Sequence, residues 1–197
     1  MTASMRSLIV LFIIISLPFL FIVSLSIGDA DVGPSQVLNY FLGERVSYID
    51  RLVIQDIRMP RALAALLTGA ALGISGAMLQ GMLRNPLASP FLLGISSGAG
   101  VCVVILFAFN VAAFWIPVGA WLGAVVAAAL GFLISYQRQN ISLERLILAG
   151  VAVSSVLGSI QAIFLLRSDD TRIQNSLTWL SGTLAARTWD DLSFTWI

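Results

Sequence analysis

One serine sits in a pattern that can do covalent chemistry. Gly73-Ile74-Ser75-Gly76 is a G-x-S-G sequence inside an apolar run, a setting that can house the nucleophile of an intramembrane protease. A serine hydroxyl attacks only when a general base, usually histidine or lysine, takes its proton. All eleven basic residues are arginine and histidine is absent. Unless a base comes from elsewhere, Ser75 is a packing residue and no catalytic residue is expected. The same inventory removes other chemistry. One thiol, Cys102, and no imidazole leave the zinc, haem and iron–sulfur ligand sets unfilled, so neither metal site nor cofactor is expected. A G-x-x-x-x-G-K-[ST] nucleotide loop cannot exist without lysine. The polar side chains left in apolar surroundings are Gln80 and Gln161 and hydroxyls such as Ser96, Ser97, Ser154, Ser155 and Ser159, which suit hydrogen bonds between helices.

The elements that must carry these residues are long and greasy. Of 197 residues 58% are apolar and 11% charged, against about 25% charged in an average soluble domain. Disordered and nucleic-acid-binding classes are excluded by that balance, and a net charge of +1 recruits no acidic partner. Five spans are predicted, at about 8–27, 62–83, 92–109, 114–136 and 146–166. All are helical, giving an all-α polytopic membrane protein with a single transmembrane domain over 1–197. The run Ala62–Leu83 holds 22 residues without a formal charge, and at ~1.5 Å per residue it crosses a ~30 Å hydrocarbon core. None of the five spans holds Asp, Glu or Arg in its interior. Proton- or sodium-coupled carriers usually place such groups there.

Along the chain, Leu8–Ile27 is read as a retained first span with a kink at Pro18. A secretory signal peptide is the competing reading, but its apolar core is normally about 7–15 residues. Pro34–Leu42 fits a short surface helix. Pro60 suits the first turn of the helix after Arg58-Met59-Pro60-Arg61, where a missing N–H costs nothing. The two arginines can anchor that helix end at headgroup level. Gly69, Gly73 and Gly76 lie four and three residues apart and form one smooth face for a neighbouring helix. Asn85-Pro86 and Ser89-Pro90 make a tight exit loop. Gly94 to Gly100 is so rich in Gly, Ser and Ala that the third span begins as unwound or closely packed backbone. Ser142 is positioned to cap the fifth span. The charged stretch Arg167–Arg172 leads to an amphipathic segment with Trp179, Gly182 and Trp189. The apolar Leu192–Ile197 is too short to span, and the chain is read as a fragment of a longer one. Arginine counts favour an outward N-terminus, with seven on one side (Arg45, Arg51, Arg58, Arg61, Arg167, Arg172, Arg187) and four on the other (Arg6, Arg84, Arg138, Arg145). The seven share their side with nine of the ten acids, so charge alone leaves orientation open.

Several of these stretches, taken in order, resemble the FecCD family of ABC-importer permeases. They are Arg58-Met59-Pro60-Arg61, Gly69 through Ser75-Gly76 to Gln80, Asn85-Pro86-Leu87-Ala88-Ser89-Pro90, Leu93 to Ala99, Leu148-Ala149-Gly150-Val151-Ala152, and Trp179-Leu180-Ser181-Gly182-Thr183-Leu184 with Trp189. Thr183 stands where serine is common. The resemblance implies about ten helices in a complete permease and a cytoplasmic N-terminus. It implies a second permease subunit, two cytoplasmic ATPase subunits and a periplasmic or lipid-anchored substrate-binding protein, in a bacterial inner membrane and with no nucleic acid. Cargo would be a ferric siderophore, haem or cobalamin. Arg58 and Arg61 match arginines that meet acidic residues of the binding protein, a pairing that guanidinium geometry favours. Gln80, Asn85, Pro86, Ser96, Ser97, Trp179 and Gly182 are candidates for a pathway or gate. An ion-coupled secondary transporter or channel, and an enzyme using Ser75, are the rival readings.

Overall fold

The computed structural model describes residues 3–136 and 142–193. Arg138 and the last apolar residues, 194–197, lie outside the described residues, as does the side chain of Arg6. Among the described residues every regular element is helical. Four helical stretches are long and apolar enough to cross a membrane: Ser7–Ser26, Tyr48–Leu83, Trp115–Ser135 and Leu143–Leu166. The chain divides into two compact units, residues 1–71 with 184–197, and residues 72–183.

In the first unit, α1 (Ala3–Ser26) runs through Pro18 as one helix. The short α2 (Pro34–Leu42) has Pro34 at its first position, and the Gln36 side chain accepts from the Gly33 N–H at its entry. Then α3 (Tyr48–Leu52) starts with the Ser47 hydroxyl accepting from the Asp50 N–H. It passes without a break into a π-helical turn, Val53–Arg58, and on into α4 (Met59–Leu83). A small apolar cluster of Leu25, Val32, Val37, Ile54 and Ala62 joins these elements. The second membrane stretch is therefore a continuous rod from Tyr48, not one that begins beside Pro60. Proline in a helix interior removes an i→i−4 bond and crowds the carbonyl four residues back. The wide turn just before Pro60 relieves that conflict, with the Met59 N–H bonding to the Ile54 carbonyl.

In the second unit, α5 (Ile95–Ala108), α6 (Trp115–Ser135) and α7 (Leu143–Leu166) pack together, and α8 (Asp170–Ser181) leans on α5. The third predicted span is shorter than expected. Residues 90–94 turn, Gly94 takes a left-handed φ of 77°, and the helix holds 14 residues. Its Gly/Ser/Ala front is closely packed helix, which selects one of the two expected alternatives. Ser142 caps α7, its Oγ accepting from the Arg145 N–H at 3.3 Å. At the end of α4, the Arg84 N–H reaches the Gly81 carbonyl and the Asn85 N–H the Gln80 carbonyl. That is a Schellman end, with arginine (φ 50°) in the left-handed position usually held by glycine. Asn110 (φ 54°) does the same for α5.

Among the described residues the close backbone contact lies at glycines other than Gly69, Gly73 and Gly76. A Cβ on Gly98 would strike the Gly123 carbonyl and the Ala127 methyl, and one on Gly123 would strike the Gly98 carbonyl. Helices α5 and α6 thus touch backbone to backbone. Around Gly69, Gly73 and Gly76, by contrast, nothing lies within 4 Å of an added Cβ, so their face has no partner among the described residues. Gly98→Ala and Gly123→Ala are each expected to destabilise the chain by about 1–3 kcal/mol, the usual cost of forcing an extra carbon into a filled contact. Gly73→Ala is expected to leave stability unchanged when this chain stands alone. Thermal unfolding in detergent, followed by helical circular dichroism, measures both.

Candidate functional site

The chemistry in the first unit gathers at the end of α1, around the π-helical turn. Arg58 closes that turn with only 8% of its surface exposed. Its Nη1 donates to the carbonyls of Leu25 at 2.6 Å and Val32 at 2.8 Å, and its Nη2 donates to the Ala30 carbonyl at 2.7 Å. Leu25 lies in the last turn of α1, where carbonyls have no intrahelical donor and the helix dipole is negative. Among the described residues Arg58 makes no ion pair. A guanidinium stays charged in a protein, so carbonyl dipoles are its only compensation. Gly28 lies beside it, and a Cβ there would come within 3.1 Å of Nη2.

This corrects the expectation for Arg58. Its donors are committed to the chain's own backbone, so it is not available as the free docking arginine. Arg61 differs. It is exposed and makes no hydrogen bond or ion pair among the described residues. One turn of helix separates a buried guanidinium from a free one.

On the same π-helical turn a second carbonyl has an unusual partner. In the i→i−5 pattern set by Met59 and Ile54, the Gln55 carbonyl would receive the N–H of residue 60, and proline has none. The Trp189 indole, on α9 (Trp189–Ser193), donates to that carbonyl instead, at 3.0 Å. The Trp189 ring also walls an apolar groove of about 550 Å³ with Leu63, Leu66, Leu67 and Leu192. The sequence marked Trp189 in an amphipathic segment and in the family resemblance, without a partner. The signal that could have found its partner was Pro60, which leaves one carbonyl upstream without a donor.

The second unit repeats the device. Arg172 Nη1 donates to the Ala108 carbonyl, the last residue of α5, at 2.6 Å, and its Nε lies 3.2 Å from an Asp169 carboxylate oxygen. The pathway and gate candidates are not brought together by hydrogen bonds. Gln80 and Asn85 share the Schellman bond already described, and the Asn85 side chain accepts from the Leu87 N–H at 2.8 Å, with Pro86 between them. The Gly182 N–H bonds to the Trp179 carbonyl at 3.1 Å, and both residues are exposed. Ser96 and Ser97 are half-buried on the first turn of α5. Among the described residues no hydrogen bond joins these three groups. Ser75 bonds its own helix, at the Leu72 carbonyl. Among the described residues no cluster of His, Cys, Asp or Glu could hold a metal ion. Sequence reasoning gave no special weight to Ser154. Its buried Oγ has no partner and faces the contact between Gly94 and the Gly150 carbonyl.

Comparison with known proteins gives a consistent set of matches. The FecCD transport family matches residues 12–197. An achromobactin transport system permease of Dickeya dadantii is 36% identical, over 85% of this chain and 48% of its own length. An iron(3+)-hydroxamate import system permease of Bacillus subtilis is 31% identical, over 86% and 53% respectively. A hemin transport system permease of Yersinia pestis is 38% identical, over 70% and 42%. A solved structure described as an inward-facing metal-chelate type ABC transporter superposes with a TM-score of 0.79 at 28% identity, covering 95% of this chain and 57% of that one. The chain spans about half the length of the curated relatives it matches.

Trp189→Phe keeps the ring and removes the one donor to the Gln55 carbonyl. It is expected to cost about 0.5–1.5 kcal/mol, the net worth of an ordinary hydrogen bond whose acceptor water can reach. Trp189→Leu should cost more, because it also empties the groove. Denaturant midpoints of the two variants give the comparison.

Proposed function

The chain belongs to the FecCD transport family, and from that membership we propose that it forms membrane-spanning structure of an ATP-driven importer for a metal chelate. The observation that carries the reading is what its spans lack. No Asp, Glu or Arg stands in the interior of any predicted span, and the charged residues of the longer stretch from Tyr48 all precede Ala62, which argues against a group inside the conduit that couples cargo to an ion gradient. Driving force must come from proteins it touches. Those partners are a second permease subunit, two cytoplasmic ATPase subunits that hydrolyse the nucleotide, and a periplasmic or lipid-anchored binding protein. An iron chelate is the favoured cargo, since the names of the relatives above include iron(3+)-hydroxamate and hemin. The setting is the bacterial inner membrane, crossed several times.

In this reading the N-terminus is cytoplasmic, and the end of α1 with the π-helical turn lies at the outer face. Arg61 is the docking arginine, offered to a carboxylate of the binding protein. The bare face of Gly69, Gly73 and Gly76 is the seat of further helices of the same assembly. Gln80, Asn85, Pro86, Ser96, Ser97, Trp179 and Gly182 remain the proposed pathway and gate, with Ser154 added by its unpaired hydroxyl.

Cargo uptake by the full-length permease with its partners is expected to stop when ATP is depleted and to need the binding protein. Uptake that continues without ATP but collapses with the proton or sodium gradient would establish the ion-coupled reading instead. Arg61→Glu should weaken binding-protein association by at least ~10-fold at low ionic strength, and by less as salt screens the repulsion.

A further inference from the structure

Arg58 and Arg61 sit three residues apart in the sequence, yet their surroundings are opposite. Arg58 is buried in an apolar cluster, and its three short bonds reach back 33, 28 and 26 residues along the chain. Together they tie the last turn of α1 and the turn that follows it to the π-helical turn. The acceptors converge from several directions, with both terminal nitrogens engaged. Only a flat fork with several fixed donors satisfies such a set. A lysine ammonium concentrates its donors at one point, on a stem of different reach.

We propose that Arg58 is a positioning residue: it fastens the α1 end and the 28–32 turn to the π-helical turn, and so sets the shape of the surface on which Arg61 is offered to a partner. The proposal rests on the docking reading only for the identity of that partner. Three features support it. The side chains of Asp29 and Asp31 are exposed, while the carbonyls of Ala30 and Val32 are turned onto the guanidinium. Release of the guanidinium would therefore free the stretch that displays both carboxylates. Gly28 leaves just enough room for the fork, with an added Cβ at 3.1 Å from Nη2 and 3.3 Å from Cζ and Nε. The π-helical turn is held a second time by Trp189 through the Gln55 carbonyl, so two separate contacts fix its geometry.

A charge-preserving substitution separates positioning from contact. Full-length permease in nanodiscs, with Cys102→Ser and a reporter Ala30→Cys, would be labelled with a membrane-impermeant maleimide. In the same particles, affinity for the cognate substrate-binding protein would be titrated at low and high salt. Arg58→Lys is expected to raise the labelling rate of residue 30 several-fold. It should weaken association about as much as Arg58→Met does, with a loss that persists at high salt. Gly28→Ala, which keeps the arginine and crowds its seat, should move both readouts the same way by less, and it guards against a fold lost at position 58. Arg61→Lys, which loses the fork at the proposed contact, should weaken association while leaving the labelling rate of residue 30 at the parent value. The proposal is overturned if Arg58→Lys and Gly28→Ala leave labelling at the parent rate. It is overturned equally if Arg58→Lys binds normally while Arg58→Met shows a loss that salt abolishes, because that is the behaviour of a contact charge. Faster labelling in Arg58→Lys, with association indifferent to Arg61→Glu, would uphold the fastening and overturn the docking reading on which the partner's identity rests.

Discussion

A backbone carbonyl that has lost its water must find a donor in the chain, and a helix inside a membrane leaves such carbonyls at each C-terminal end. This one requirement accounts for most of what is distinctive here. Arg58 answers it for α1 and the turn beyond, and Arg172 answers it for α5. Trp189 answers it where Pro60 leaves Gln55 unpaired. Where no side chain reaches, the chain turns back on itself through left-handed residues at Gly43, Arg84 and Asn110. Each answer is local in energy, but several are distant in sequence, and those are the ones that hold elements together.

The same requirement bears on the charge puzzle. In the proposed orientation seven arginines fall on the outer side, where the positive-inside rule expects few. Two of them, Arg58 and Arg172, are drawn into helix ends by carbonyl dipoles. An arginine recruited to neutralise a helix terminus is placed by folding, and a count of loop charges cannot distinguish it from one that resists translocation. Setting these two aside narrows the imbalance from seven against four to five against four without reversing it.

Much of the fold was legible because it is written in local terms. Runs without charge gave the long helices, Pro34 gave the start of α2, and Ser142 gave the cap of α7. The misses have two sources. Backbone conformation at single residues shortened the third span at Gly94 and widened the turn before Pro60. Partners far away in sequence decided the rest: the spacing of Gly69, Gly73 and Gly76 is as good as that of any packing motif, yet the touching backbones are those of Gly98 and Gly123. The candidate site was half legible. Arg58 and Arg61 were picked out together, and nothing in their spacing told which would turn inward. Only the positions of the Leu25, Ala30 and Val32 carbonyls decide that.

The contact between α5 and α6 has one more implication. Glycine and alanine have no side-chain rotors to lose when they are buried, so where Gly98, Gly123 and Ala127 meet the two rods join without freezing side-chain entropy at that point. Elsewhere along the same two helices side chains make the contact: Leu106 lies against Gly119, Cys102 against Gly123, and Val103 packs with Ile116 and Ala120. The glycine contact thus sets how near the two axes come, and any repacking between the helices falls to those neighbouring side chains.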